Sequence, residues 1–370
     1  MKKKYLILIL LFVFNLQIIP KTFKFNSATE MNFDLGFASF YMNDQRIQWS
    51  GMEATFGVEA YIKTDIVRKL GKGNLNIFSE IRFNQPFDDN RLIDKLRSKY
   101  IQNFEIKRFD LSRLFIGYNS GGMGFYLGKK ETNFGRDNLI HLFNSEFDLP
   151  FIRTESILLR ETGFFIFMKK GVLDLSLSIV NGGPEMDTNS SKAGIVRLGI
   201  KTKVLSFGVS AKFQDGIGSE DQKEFKNHVG FDMLFKSGRF QLSGEFIYDQ
   251  YGFRKEYDPD NIFWKRSLYD RDIFYKSETA ITGLGGYVDI QYKTRSFTLN
   301  INYGEFYPEK IGVPSHDEPI RRGIVKTIFN SGLDIRFFVG GLFENERPVD
   351  PAFEGRSGYA FFLGAVFNLK

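Results

Sequence analysis

The stretch from Gly128 to Gly163 crowds Lys129, Lys130, Arg136, His141, Arg153 and Arg160 into a connection too long to be a simple turn. Long ordered connections commonly carry function. Farther on, Arg197, Lys201 and Lys203 share one face of IVRLGIKTK if that segment is extended. Guanidinium forks match the oxygens of phosphate or carboxylate. A ring of Arg and Lys in a narrow, low-dielectric passage would lower the barrier to anions, and salt would screen the effect. The same stretch also holds Glu131, Asp137, Glu146, Asp148, Glu155 and Glu161. A second reading therefore stays open, in which the bases pair with nearby acids and pin the loop to a wall.

Other chemistry is poorly supplied. His141 and Ser145 lie four apart, but no nucleophile motif surrounds Ser145, and His228 and His316 are remote in sequence. No His or acid cluster has metal-ligand spacing. The chain contains no cysteine, which excludes disulfides, thiolate metal sites and a cysteine nucleophile. Neither an enzyme, a metal nor a cofactor is expected.

The elements that must position these bases show a strict alternation. In SFTLNINYG, Phe297, Leu299, Ile301 and Tyr303 oppose Thr298, Asn300, Asn302 and Gly304. The same pattern recurs in GNLNIFSEIRF, SFGVSAKFQ, HVGFDMLFK and RFQLSGEFIYD. Side chains alternate across a strand, so each segment has one apolar and one polar face. The chain is rich in aromatics, with 42 Phe and 16 Tyr, yet its mean hydropathy is only −0.23. Fine alternation explains both numbers. Short Gly-, Asn- and Ser-bearing turns alternate with long polar connections at about 42–50, 84–108, 131–160, 182–192, 215–227, 250–280, 307–322 and 346–356. Such alternation predicts a transmembrane antiparallel β-barrel of about 16 strands, apolar outward and polar inward, with short periplasmic turns and long extracellular loops. Closure removes the sheet edges, whose backbone lipid cannot hydrogen-bond. A barrel of that size leaves an aqueous channel. Helical spacing of Leu92, Ile93, Leu96 and Tyr100 suggests a short helix in the second long loop.

The N-terminus has a charged Lys2–Lys4 segment, an apolar run from Tyr5 to Phe14, and small residues at Ser27 and Ala28. This reads as a secretory signal peptide over residues 1–28, followed by a single barrel over 29–370. Five of the 50 basic residues fall in 1–28 and no acidic one does, so the remainder, 45 basic against 44 acidic, is close to neutral. The formal charge of +6 is therefore no argument for nucleic-acid binding.

Over about residues 120–205 the chain resembles the phosphate-selective porin O and P family. The matching elements are Gly128-Lys129, Phe134-Gly135, Phe151 with Arg153, Arg160 with Gly163, Asn181-Gly182, and Asp187, Asn189 and Lys192 ahead of Arg197. The resemblance implies a general or anion-favouring porin of the bacterial outer membrane that passes small hydrophilic solutes by diffusion. It also implies a homotrimer among lipid and lipopolysaccharide, with the 131–160 loop folded into the channel. The pore candidates are Lys129, Lys130, Arg136, Arg153, Arg160, Arg197 and Lys201. The family's selective members use dense inward Arg and Lys. The acids interleaved here depart from that pattern and reduce the expectation to a weak anion or phosphate preference. The alternative is a non-conducting barrel acting as adhesin or structural protein through loops 84–108 and 250–280.

Overall fold

The computed structural model describes residues 22–44, 55–86, 109–136, 139, 150, 160–182, 191–217, 224–253, 281–308, 320–330, 335–346 and 356–369. The helix expected in the second long loop, His141 and Arg153 lie outside them. The strands are β1 (Thr22–Asn26), β2 (Thr29–Asp44), β3 (Thr55–Leu70), β4 (Gly73–Pro86), β5 (Phe109–Ser120), β6 (Met123–Glu131), β7 (Arg160–Lys170), β8 (Leu173–Val180), β9 (Ala193–Lys201), β10 (Leu205–Ile217), β11 (Glu224–Ser237), β12 (Phe240–Phe253), β13 (Ile281–Lys293), β14 (Phe297–Pro308), β15 (Ile320–Asn330), β16 (Ile335–Glu346) and β17 (Arg356–Leu369).

Strands β2 to β17 each pair antiparallel with the next, and β17 returns to β2 with Leu369 opposite Leu35 and Leu363 opposite Tyr41. These are the barrel strands that the alternation predicts. The structure adds β1, which folds back onto the start of β2, with Thr22 opposite Asn32. Alternation alone could not reveal it, because TFKFN is short and its residues are all exposed. Two connections are shorter than expected, since β10 and β11 extend to Ile217 and from Glu224, and β14 and β15 extend to Pro308 and from Ile320.

Burial is inverted relative to a water-soluble protein. Leu127, Ile179 and Leu198 are 59%, 61% and 57% exposed, whereas Asp289, Lys326 and Lys212 are 0%, 2% and 3% exposed. On β14, Ile301 and Tyr303 are exposed while Asn300 and Asn302 are buried. An apolar outer surface wrapped around a polar interior suits hydrocarbon outside, where a closed ladder leaves no backbone group unsatisfied. Among the described residues no helix is long and apolar enough to cross a membrane. Crossing is the work of the strands.

One irregularity adjusts the lumen. Between β4 and β5 the register shifts, with Glu80 opposite Arg113 but Ile81 opposite Leu111. Ser112 is the extra residue of this β-bulge, and it lets Ser112 and Arg113 face inward in succession while Leu111 and Leu114 stay exposed.

Candidate pore constriction

After β6 the chain enters the barrel. Thr132 Oγ1 donates to Glu161 Oε2 at 3.2 Å. The backbone N–H of Gly135 donates to Ser210 Oγ on β10 at 2.9 Å. Phe134 is 1% exposed and meets His228 edge-on, with ring centroids 6.3 Å apart. Its ring lies over Gly230 of β11, where a Cβ would approach it to 2.6 Å. Pro150, much later in the loop, packs on β14, where a Cβ on Gly304 would lie 3.2 Å from its own. The loop thus touches inner walls on both β10–β11 and β14.

An apolar cluster holds it there. Phe134 joins Phe165, Val180, Ala193, Ile195, Ile247 and Tyr287, with Leu139, Tyr126 and Phe167 at the margin. Ile247 faces inward between Glu245 and Asp249, and Ile195 faces inward between Ala193 and Arg197. They are out of place on a wet wall and explained by the segment that covers them. Fully burying a side chain such as Phe134 stabilises by roughly 1.5–3 kcal/mol.

Charge supplies the register. Arg136 Nη2 donates to Asp174 Oδ2 at 2.9 Å, and its Nε reaches Asp232 Oδ1 at 3.4 Å. Arg197 grips Asp232 with two bonds, Nε to Oδ2 at 2.9 Å and Nη2 to Oδ1 at 2.8 Å. Its Nη1 donates to Asp174 Oδ1 at 2.9 Å. Two guanidiniums and two carboxylates alternate, so the cluster is neutral, and it ties a loop residue to three strands. Nearby, Lys212 Nζ donates to Glu161 Oε1 at 2.7 Å.

The remaining pore candidates scatter. Lys129 stands between Leu114 and Thr162 in register, on the outward parity of Phe125 and Leu127. Arg160 opens β7 opposite Glu131. Lys130 faces inward, its ammonium 4.4 Å from the centroid of Phe167 and 5.1 Å from that of Tyr126. Lys201 is exposed at the short-turn rim. There it lines a cavity of about 670 Å³ with Arg136, Lys203 and Lys236, and no carboxylate lines it. No group of metal-ligating side chains occurs among the described residues.

Sequence reading missed a second network on the far wall. Glu80, fully buried, accepts from Arg82 and from Arg113, whose Nε lies 2.6 Å from Glu80 Oε2. Arg113 Nη1 also donates to Glu131 at 2.6 Å. The inward parity of Glu80 and Arg82 was visible, but the bulge hid Arg113. Close fits abound on this wall. Gly117 sits opposite Tyr126, and a Cβ there would fall 2.3 Å from the ring. Gly117→Val is therefore expected to destabilise the folded barrel by about 1–3 kcal/mol through overpacking. Urea titration in detergent micelles checks this, and an unshifted midpoint would contradict it.

No protein-family model and no curated protein sequence matches this chain. Solved structures do resemble it. OmpT, an outer membrane protein of Vibrio cholerae, has a TM-score of 0.61 in its loop L8 deletion form, with 11% identity over 92% of this chain and 100% of that one. The outer membrane channel DcaP of Acinetobacter baumannii has a TM-score of 0.59, with 12% identity over 94% and 99%. An anion-selective porin from Comamonas acidovorans has a TM-score of 0.58, with 10% identity over 92% and 99%. With the closed sheet, the inverted burial and these likenesses together, the chain has the transmembrane β-barrel fold that outer-membrane porins share.

Proposed function

We propose that this protein is a porin, a passive channel for small hydrophilic solutes with a weak preference for anions, and that the loop after β6 sets its constriction. The observation that carries the reading is the inward course of residues 132–136, fastened by Arg136 to Asp174 and Asp232. No catalytic step is required: width limits solute size and local charge biases ion choice.

The neutral cluster changes which bases carry that bias. Arg136 and Arg197 are held by carboxylates, so they fit the pinning reading. The short-turn rim is different. Arg68, Lys69, Lys72, Lys169, Lys170, Lys201, Lys203, Lys236, Arg239, Lys293 and Arg295 crowd strand ends and turns there. A charged mouth raises the local concentration of counter-ions, and salt screens it over about 10 Å at 0.1 M. The anion selectivity named for the Comamonas structure and the trimer form recorded for Vibrio OmpT support an anion-leaning homotrimer here. We also infer that residues 1–28 are a leader; its removal would take β1 with it and leave the β2–β17 closure intact.

Purified protein in planar bilayers tests this. Discrete conductance steps are expected; their absence would favour the non-conducting barrel. In a gradient of dilute KCl the reversal potential should show modest Cl⁻ preference. The triple variant Lys201→Glu, Lys203→Glu, Lys236→Glu should lower the Cl⁻/K⁺ ratio by about fivefold or more, since unit charges about 4 Å apart in water already interact by ~1 kcal/mol. An unchanged ratio would remove the rim from the selectivity argument.

A further inference from the structure

An unbroken row of aromatic rings lines one inner wall of the barrel. Phe78 of β4 stacks on Phe115 of β5, with centroids 5.2 Å apart and planes 14° from parallel. Phe115 meets Tyr126 of β6 edge-on at 5.6 Å. Tyr126 meets Phe167 of β7 edge-on at 5.4 Å. Tyr61 of β3 extends the row through Arg82, whose guanidinium carbon lies 5.7 Å from its ring centroid. Glycines make room for it: a Cβ on Gly36 would fall 2.0 Å from Tyr61, as one on Gly117 would collide with Tyr126. A wall that only had to hold water would gain nothing from rings there.

Cations thread the row. Arg113 lies over Phe78 at 4.7 Å, but Glu80 and Glu131 occupy its guanidinium. Lys130 differs. Its ammonium stands within 4.4–6.0 Å of the centroids of Phe167, Tyr126, Phe165 and Phe115. Among the described residues no salt bridge holds its ammonium: the charge of neighbouring Glu131 acts on it, but that carboxylate is bonded to Arg113. Below it opens a cavity of about 650 Å³, lined by Phe115, Tyr126, Lys130 and Phe167 and by Lys72 and Lys169 toward the short turns. Glu131 also borders it, engaged by Arg113. That volume lies in the range of small-molecule sites, and the lining has their usual form of apolar faces with a few placed charges.

We propose that this cavity is a binding subsite for solutes that join a flat ring to a carboxylate, as benzoate does. The ring packs offset or edge-on against Tyr126 and Phe167, the arrangement aromatic quadrupoles favour. The carboxylate pairs with Lys130 in a charge-assisted bond, and Lys72 and Lys169 add attraction at the mouth. Acetate supplies only the charge and benzamide only the ring, so neither satisfies both halves. The porin reading accounts for how a solute arrives, and the inference rests on it only for that; binding is measurable without conduction.

The test is saturation-transfer NMR and calorimetry on the whole purified barrel in detergent, with benzoate, benzamide and acetate as probes. Benzoate should bind at least tenfold more tightly than either of the others. Lys130→Gln should bring benzoate down to the level of benzamide. Phe167→Leu should weaken benzoate about tenfold and leave acetate unchanged. Heat-modifiable gel mobility confirms folding of each variant; Lys130→Gln, which removes no ring, decides the matter if Phe167→Leu does not fold. Benzoate binding no tighter than acetate, or benzoate affinity untouched by Lys130→Gln, overturns the proposal. Bilayer conductance on the same preparation reports separately: a conducting barrel that ignores benzoate defeats the subsite alone, and a silent barrel that binds it defeats the channel alone.

Discussion

Asp232→Ala is expected to raise the single-channel conductance and make the open current noisy. Asp232 accepts two bonds from Arg197 and approaches Arg136. Removing it leaves two guanidiniums facing the single carboxylate of Asp174. Breaking a buried ion pair from one side typically costs about 3–5 kcal/mol, because the partner charge is left uncompensated. The wall cannot relax much, since Arg197 sits in β9 with neighbours hydrogen-bonded on both sides. Arg136 can. It sits on a connection, so the cheapest relief is its departure from the wall, carrying Gly135 and the ring of Phe134 with it. The passage then widens and fluctuates. Arg136→Ala should do the same at least as strongly, because it removes the loop's whole ionic anchor among the described residues and leaves Arg197 between two acids. Planar-bilayer recordings of both variants are the check. Conductance and noise like the parent's in Asp232→Ala would mean that residues 132–136 do not narrow the pore.

Ile301→Arg is expected to shift folding into phospholipid vesicles strongly toward the unfolded side. Ile301 is 39% exposed on the outer face of β14, flanked in register by Ile290 and Val325. A guanidinium on the lipid face near the bilayer midplane costs about 2–4 kcal/mol. Ile301→Phe should be nearly silent, since it keeps an apolar group toward hydrocarbon. Band-shift gels across a urea series measure both. Equal urea midpoints for Ile301→Arg and the parent would contradict a hydrocarbon environment at this position.

The residue pattern carried the architecture much further than the site. Phe207 and Val209 against Ser206 and Ser210 define a strand and its two environments without outside help. What a period of two cannot do is say what will cover an inward face. Ile195, Ile247 and Phe165 were invisible as a set because their partner, Phe134, arrives from a connection far away in the chain. The same limit hid the fate of the bases. That Arg197 points inward was legible from its parity, but not that Asp174 and Asp232 would neutralise it together with Arg136 of the loop, because those acids lie on other strands. Phe78 sits on the polar parity of its strand, between Asn76 and Glu80, and that anomaly was the available sign of the aromatic row. Ser112 broke the parity of β5, so Arg113 could not be assigned a side by counting. Arg153 lies outside the described residues, and Lys129 follows its outward neighbours.

The way the sheet closes also fixes an order of assembly. Every barrel strand but two finds both neighbours next to itself in the chain, so most of the ladder can grow hairpin by hairpin. Among the described barrel strands, only the seam between β2 and β17 joins remote stretches. Its entropic penalty rises only logarithmically with the length of chain enclosed, so a long meander closes at little more expense than a short one. The seam is then the last junction to zip and the first to unzip under strain, and a disulfide engineered across it should slow unfolding far more than one placed between any consecutive pair.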